Sequence, residues 1–504
     1  MKRALILPAL LAVAACSASP ETLKAQADKA FAEHRYADAR LHLIEALKAS
    51  PEDRTLLLQQ ARTNLALGDG EAAAAVIARI AGGAKPSGEL AELAAEAALL
   101  RGQDGAVIDF LAGSTSTEAG RLRALVALHK GDMAGAEAAF SAALQIGTNA
   151  RLLADYARFK LLAGDRPAAS GLAARAREAS ADAIDTLLVS GQFAVSDGDL
   201  RTALGHYERA TKIYPNSLAA LTGKAAVLGD LGRFDEMDQT LARAATFAPK
   251  DLTVTYLLAR SASARKDWPR VRAVLQPVDA ILPAGHPSRL LYAEALLRLG
   301  NPAQAVSQLG TILREQPRNR RVRMIAAEAQ LATGDAAGAL ATIAVVADQA
   351  DARPEELDLA AKIAKAADSS AAESYAARRS SPAAQALLAD LSEGDAAIRA
   401  RDWARAIRAY ERVQAATDGR NAMVLNNMAH SQFMVGNAAK ARDFAAKAIK
   451  QAPDNGSVLD TAGWIEFKTG GDRARALDLL RRAAEKSPAN PTIRAHLAEA
   501  GRAP

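Results

Sequence analysis

Small or turn-forming residues recur along this chain at a nearly fixed interval, and no other feature restricts the fold as strongly. They stand at His34, Gly68, Gly102, Gly131, Gly164, Gly198, Gly232, Lys266, Gly300, Gly334, Asp368, Arg401, Gly436 and Gly470. Most steps are 34 residues (68 − 34, 198 − 164, 232 − 198, 300 − 266, 334 − 300, 470 − 436). Two further signals keep phase. Seventeen residues after six of these positions comes proline, at Pro51, Pro215, Pro249, Pro283, Pro317 and Pro453, and the extra Gly471 delays the next to Pro488. Five residues after nine of them comes alanine, at Ala39, Ala73, Ala136, Ala169, Ala203, Ala305, Ala339, Ala406 and Ala441.

Each signal has a mechanical reason. A turn glycine takes the left-handed conformation that ends one helix, and Asp69, Asp132, Asp165, Asp199, Asp335, Asn301 or Asn437 after it is placed to cap the next. That second helix carries apolar residues three or four apart, as in Leu200, Ala203, Leu204, Tyr207, Ala210 and Ile213, so one face is buried. Proline then stops it. The phased alanines admit a neighbouring helix closely. Fourteen turn positions predict about fourteen hairpins from roughly residue 22 to 500, each too thin to bury its own face. The period is that of the tetratricopeptide repeat (TPR), so the expected fold is all-α: a TPR α-solenoid wound as a right-handed superhelix.

Composition agrees with thin, repeated packing. Half of the 504 residues are apolar but only 4% are aromatic. Lys and Arg number 63 against 57 Asp and Glu, interspersed rather than clustered, which gives no nucleic-acid footprint. Two arginine runs, Arg314, Arg318, Arg320, Arg321, Arg323 and Arg399, Arg401, Arg405, Arg408, Arg412, read either as solvated helix faces with acidic neighbours or as a surface for an acidic polysaccharide.

The first residues read as an export signal. Lys2 and Arg3 precede a short apolar run, Ala4 to Val13, closed by Val13-Ala14-Ala15-Cys16. The run is too short to span a bilayer. Val-Ala-Ala-Cys resembles the bacterial lipobox, and Cys16 is the sole cysteine, so it is expected to accept lipid rather than form a disulfide. Ser17, rather than Asp, follows it. The expected address is the outer membrane, lipid-anchored through Cys16, with the body in the periplasm.

The period weakens at the step of 29 between Gly102 and Gly131, where Gly113-Ser-Thr-Ser-Thr117 is loop-like, and again near Asp368, where Ser369-Ser370 and Ser380-Ser381-Pro382 suggest a joint. The expected division is a signal over 1–15, a lipid-anchored linker over 16–21, an N-terminal array over 22–381 and a C-terminal array over 382–504.

Motifs for chemistry are sparse. Seven histidines stand singly, without zinc-ligand spacing, and no metal or cofactor is expected. Gly68-Asp-Gly70 lacks the strand and spacing of a phosphate loop. Ser263-Ala-Arg-Lys266 and Lys468-Thr-Gly470 match fragments of the penicillin-recognising enzymes, but those enzymes carry the triplet on a strand and here it falls at a hairpin turn. No enzyme is expected.

A binding surface is expected on the first helices of the hairpins. Counting back from Gly436 and Gly470 gives Asn426, Asn427, His430 and Phe433, then Asp460, Thr461, Trp464 and Phe467. Such a face suits an extended peptide or a partner helix. Trp464 and Phe467 serve equally well as packing between repeats.

The C-terminal stretch carries Asn426-Asn427-Met-Ala429, Ala448, Pro453-Asp-Asn455, Leu459-Asp460-Thr461-Ala-Gly463-Trp464, Leu479-Leu480-Arg-Arg-Ala483, Pro488-Ala-Asn-Pro491 and Ile493-Arg-Ala-His496-Leu497-Ala498. Over about eighty residues it resembles the TPR lipoprotein of the exosortase/PEP-CTERM system. The resemblance implies a non-catalytic, periplasm-facing scaffold that mediates protein–protein interactions in exopolysaccharide biosynthesis or export, or in PEP-CTERM protein sorting. The alternative is a scaffold for outer-membrane protein or peptidoglycan assembly. Envelope proteins are the expected partners.

Overall fold

The computed structural model describes residues 19–349, 351–487 and 490–502. The signal stretch with Cys16, and Pro488, lie outside them. The described residues form twenty-nine α-helices and one short 3-10 segment, with no strand. The fold is an α-solenoid of helical hairpins. Two compact units divide the chain: Met1–His129 with Ala139–Thr148 and Arg209–Ser217, and Lys130–Ala138 with Asn149–Glu208 and Leu218–Pro504.

The turns come first in any account of the helices. All fourteen phased positions have positive φ, from +49° at Asp368 to +87° at Gly334. Ten are glycine; His34, Lys266, Asp368 and Arg401 take the same conformation at +49° to +59°. The left-handed residue lets the next N–H reach back to the preceding helix. Asp69 donates to the Asn64 carbonyl at 2.9 Å, Asp199 to Ala194 at 2.9 Å and Asp335 to Gln330 at 3.0 Å, the six-to-one bond of a Schellman turn.

The aspartate then starts the second helix. Asp69 Oδ1 accepts from the Ala72 N–H at 3.0 Å, Asp199 Oδ1 from Thr202 at 3.0 Å and Asp335 Oδ1 from Gly338 at 2.8 Å. The two asparagines expected to do the same do not. Asn301 turns its amide back to the Leu299 carbonyl at 3.2 Å, and Asn437 donates to Gln432 Oε1 at 2.8 Å. A carboxylate has only acceptors and must face the helix N–H groups, whereas an amide can instead donate to the helix behind it.

Packing follows the same register. All nine phased alanines are fully buried, at 0% exposure, so neighbouring helices close onto Cβ atoms. Larger side chains enter notches left by glycine. Tyr207 fits against Gly191 and Gly223, where a Cβ on Gly191 would lie 2.7 Å from the ring. In the first unit one apolar cluster runs from Ala27 to Ala97. In the second, successive clusters run from Ala194 to Leu257, from Ala259 to Ala329 and from Ala327 to Tyr375, each spanning neighbouring hairpins. Burial is shared between neighbours along the chain.

Departures from the period are local. The 29-residue step reflects a second helix cut to Asp104–Phe110, after which Ser116 caps Thr117–His129 through the Ala119 N–H at 3.0 Å. Pro277 falls in a 3-10 segment, Gln276–Ile281, that follows the shortened helix Trp268–Leu275. Helix Ala371–Ser380 is likewise short, and Pro382–Arg399 extends to eighteen residues. Among the described residues no helix is long and apolar enough to cross a membrane.

Nothing lies within 4 Å of a Cβ built on Gly232, so Gly232→Ala has only its backbone conformation to overcome. It should lose about 1–2 kcal/mol, whereas Lys266→Gly should gain several tenths of a kcal/mol, both read from urea midpoints. Ala305→Leu, forced into a closed helix contact, should cost about 1–3 kcal/mol in the same assay.

Candidate binding groove

Three successive first helices carry the residues singled out above: Ala422–Met434, Gly456–Lys468 and Pro491–Arg502. Each begins at an asparagine whose Oδ1 accepts two backbone N–H bonds. Asn421 accepts from Met423 and Val424 at 3.1 and 3.0 Å, Asn455 from Ser457 and Val458 at 3.0 and 3.2 Å, and Asn490 from Thr492 and Ile493 at 3.0 and 3.4 Å. These caps set a common register. Five residues on stand Asn426 and Asp460; six on stand Asn427, Thr461 and His496; nine on stand His430, Trp464 and Glu499; twelve on stand Phe433 and Phe467.

The structure joins some of these directly. Asp460, 8% exposed, accepts from His496 Nδ1 at 2.9 and 3.0 Å, a bond between adjacent first helices. The Trp464 indole stacks on the His496 ring with centroids 3.9 Å apart and planes at 13°, and Phe467 tilts against it at 5.8 Å. Lys468 Nζ lies 4.6 Å from the indole centroid and pairs with Glu499 at 2.5 Å. His430 meets the edge of Trp403 at 5.4 Å. Burial, then the nearby His496, lowers the His430 pKa from its ordinary value. Thr461 is half-buried, and Phe433 packs onto the apolar core below.

The two asparagines differ. Asn427 Nδ2 donates to the Tyr410 hydroxyl at 3.1 Å, and that hydroxyl donates to Asp395 at 2.7 Å. Tyr410 is fully buried, and burial together with Asp395 raises its pKa. Asn427 therefore ties its helix to the hairpin before it. Asn426 is 8% exposed, and its Oδ1 has no hydrogen-bond donor among the described residues. A buried acceptor left so is costly unless something supplies an N–H or O–H.

Trp464 and Lys468 also border a cavity of about 450 Å³ within the second unit. Its opposite wall includes Phe159, Pro167 and Lys160, whose Nζ is held by Glu137 at 2.9 Å and Asp165 at 3.5 Å. Counting back from turn glycines reached neither His496 nor Glu499, because helix Pro491–Arg502 precedes no phased turn. The asparagine caps give the register that would have found them.

Five of the ten arginines in the two runs are engaged by acids or carbonyls of other helices. Arg320 pairs with Asp351 and with the fully buried Glu356, Arg321 with Glu294, Arg405 with Glu393, and Arg412 with Asp390 and Glu393. Arg323 donates to the Thr342 carbonyl at 2.9 Å. The Lys468-Thr469-Gly470 triplet is the end of helix Gly456–Lys468, with the Thr469 hydroxyl donating to the Ile465 carbonyl at 2.7 Å. Among the described residues no cluster of His, Cys, Asp and Glu is arranged to hold a metal ion.

The tetratricopeptide-repeat family matches residues 24–89, 290–354 and 391–456. These segments are similar to tetratricopeptide repeats and together span less than half of the chain. The third contains the first of the three groove helices and the start of the second. No curated protein matches the chain. Of the solved structures, the APC/C hetero-tetramer Cut9–Hcn1 is similar over 96% of this chain and 96% of its own, at 13% identity and a TM-score of 0.34. YrrB, a TPR protein with an unusual peptide-binding site, is similar over 39% of this chain and 97% of its own, at 14% identity and a TM-score of 0.30.

The depressed pKa of His430 has a definite sign. The unfolded chain takes up a proton near pH 6.5 that the folded chain resists, so acidification through and below about 6.5 removes stability. His430→Gln should therefore show a smaller fall in Tm between pH 7.5 and 5.5 than the parent. Asn427→Ala, which strips the buried Tyr410 hydroxyl of a partner, should cost about 1–3 kcal/mol. Asn426→Ala should leave Tm unchanged or higher.

Proposed function

We propose that this protein is a non-catalytic scaffold that holds an extended segment of a protein partner along the first helices of its C-terminal repeats, residues 382–504. The observation that carries the reading is the buried Asn426 carbonyl oxygen, which has no donor among the described residues, on the same run of first helices as the half-buried rings of His430, Trp464 and Phe467. A partner's backbone N–H would satisfy that oxygen, and its side chains would lie on the aromatic rings. Tetratricopeptide repeats support protein binding in general. The motif ending in Cys16 supports a lipid-anchored chain at the outer membrane with its body in the periplasm. The C-terminal resemblance supports a role in exopolysaccharide biosynthesis or export, or in PEP-CTERM sorting.

Secreted exopolysaccharide in a strain lacking the gene tests this. The expected outcome is a loss restored by the intact chain, but not by Cys16→Ser or by Asn426→Ala at unchanged Tm. Unchanged polysaccharide on deletion would sink the pathway and favour a scaffold for outer-membrane protein or peptidoglycan assembly. Full rescue by Asn426→Ala combined with Trp464→Ala would sink the groove.

A further inference from the structure

The first hairpin departs from a pattern that most later hairpins keep. Seven and ten residues after the turn, these second helices carry small or polar residues: Ala75 and Ala78, Gly205 and Glu208, Ser307 and Gly310, Arg408 and Glu411, Asp443 and Ala446; after Asp368 and Gly470 the large residues there include Tyr375 and Leu480, and both are buried. In the first hairpin, Pro20–Ala32 with Tyr36–Ala49, these positions hold Leu41 and Ile44. Both are exposed, Leu41 at 63% and Ile44 at 41%. A solenoid's first hairpin ordinarily presents a polar outer face to water. Two large aliphatic side chains one helical turn apart therefore call for an apolar layer that covers them.

Chain length says which layer. Helix Pro20–Ala32 is capped by Ser19, whose hydroxyl accepts from the Thr22 N–H at 3.2 Å. Cys16 lies three residue steps before Ser19 (19 − 16), a reach of at most about 11 Å in any conformation. A lipidated Cys16 would thus keep the start of this hairpin close to the bilayer surface. Residues 20–49 contain five Lys and Arg and five Asp and Glu. Lys48 is paired with Glu45 at 2.7 Å and Arg40 with Asp69 at 3.2 Å. A charge-balanced face with an aliphatic centre fits the boundary between lipid headgroups and acyl chains, not a polyanion.

We infer that Leu41 and Ile44 insert into the membrane surface beside the lipid anchor and so fix the first hairpin flat on the bilayer. The inference rests on the lipidation reading of Cys16. Insertion of two side chains alone would be weak and reversible. Beside a covalent anchor it becomes an intramolecular event at high effective concentration, sufficient to orient the hairpin.

The test uses the lipidated full-length chain in phosphatidylethanolamine–phosphatidylglycerol vesicles, with a nitrobenzoxadiazole fluorophore on Leu41→Cys, on Ile44→Cys or on the control Ala75→Cys. Acylation of Cys16 leaves the introduced thiol as the only one to label. The expected result is blue-shifted emission and quenching by shallow spin-labelled lipid at positions 41 and 44, at least twofold stronger than at 75. A chain that fails to float with vesicles, and whose Cys16 still reacts with maleimide, would overturn the anchoring and the docking together. A chain that floats but is quenched equally at 41 and 75 would overturn the docking alone. A concentration-dependent blue shift at 41 without vesicles, unchanged when they are added, would assign the face to a second copy of the chain instead.

Discussion

Everything regular in this molecule depends on one backbone conformation repeated fourteen times. The left-handed residue between paired helices redirects the chain and, in the same step, satisfies carbonyls that a helix end would leave open. Once that residue is in place, the following aspartate meets the N–H groups of the next helix without further adjustment. The angle between paired helices is thereby set by local geometry. Where glycine is absent, at His34, Lys266, Asp368 and Arg401, neighbouring repeats impose the same geometry on residues that resist it.

The features legible from the sequence were those fixed by local covalent geometry. Turn positions, buried alanines and helix-stopping prolines all depend on residues close together in the chain, and the structure places each of the described ones as the period required. The misreadings arose where an outcome depended on a competing partner. Asn301 and Asn437 had acceptors available behind them, so their amides turned away from the helices they were expected to cap. Asn427, which the register places on the groove face, also donates to Tyr410, a bond that crosses from one hairpin to the one before and that local spacing does not announce. His496 was passed over because the register was counted from glycines, whereas its position is set by the Asn490 cap.

The candidate groove illustrates how bonds between repeats can position side chains that are unremarkable singly. Asp460 and His496 belong to different repeats, as do Asn427 and Tyr410, and each bond holds one first helix at a set height against its neighbour. The Trp464 ring is then fixed by stacking rather than by burial, which leaves an edge available. Positioning bonds and candidate contact residues lie on the same three helices, so their separation is one of residue and not of region. Asn426 and Asn427, adjacent in the chain, fall on opposite sides of that division.

The nine buried alanines carry one more consequence. Because nine of the hairpins close onto a neighbouring helix with the same methyl group at the same register, that contact does not fit a hairpin to one particular neighbour by shape. Such units can be duplicated, deleted or exchanged by recombination while the joints remain compatible. The array can therefore change length without redesigning a core, and heritable variation can accumulate on the inner faces, where a new combination of side chains alters what is held while leaving the means of stacking intact.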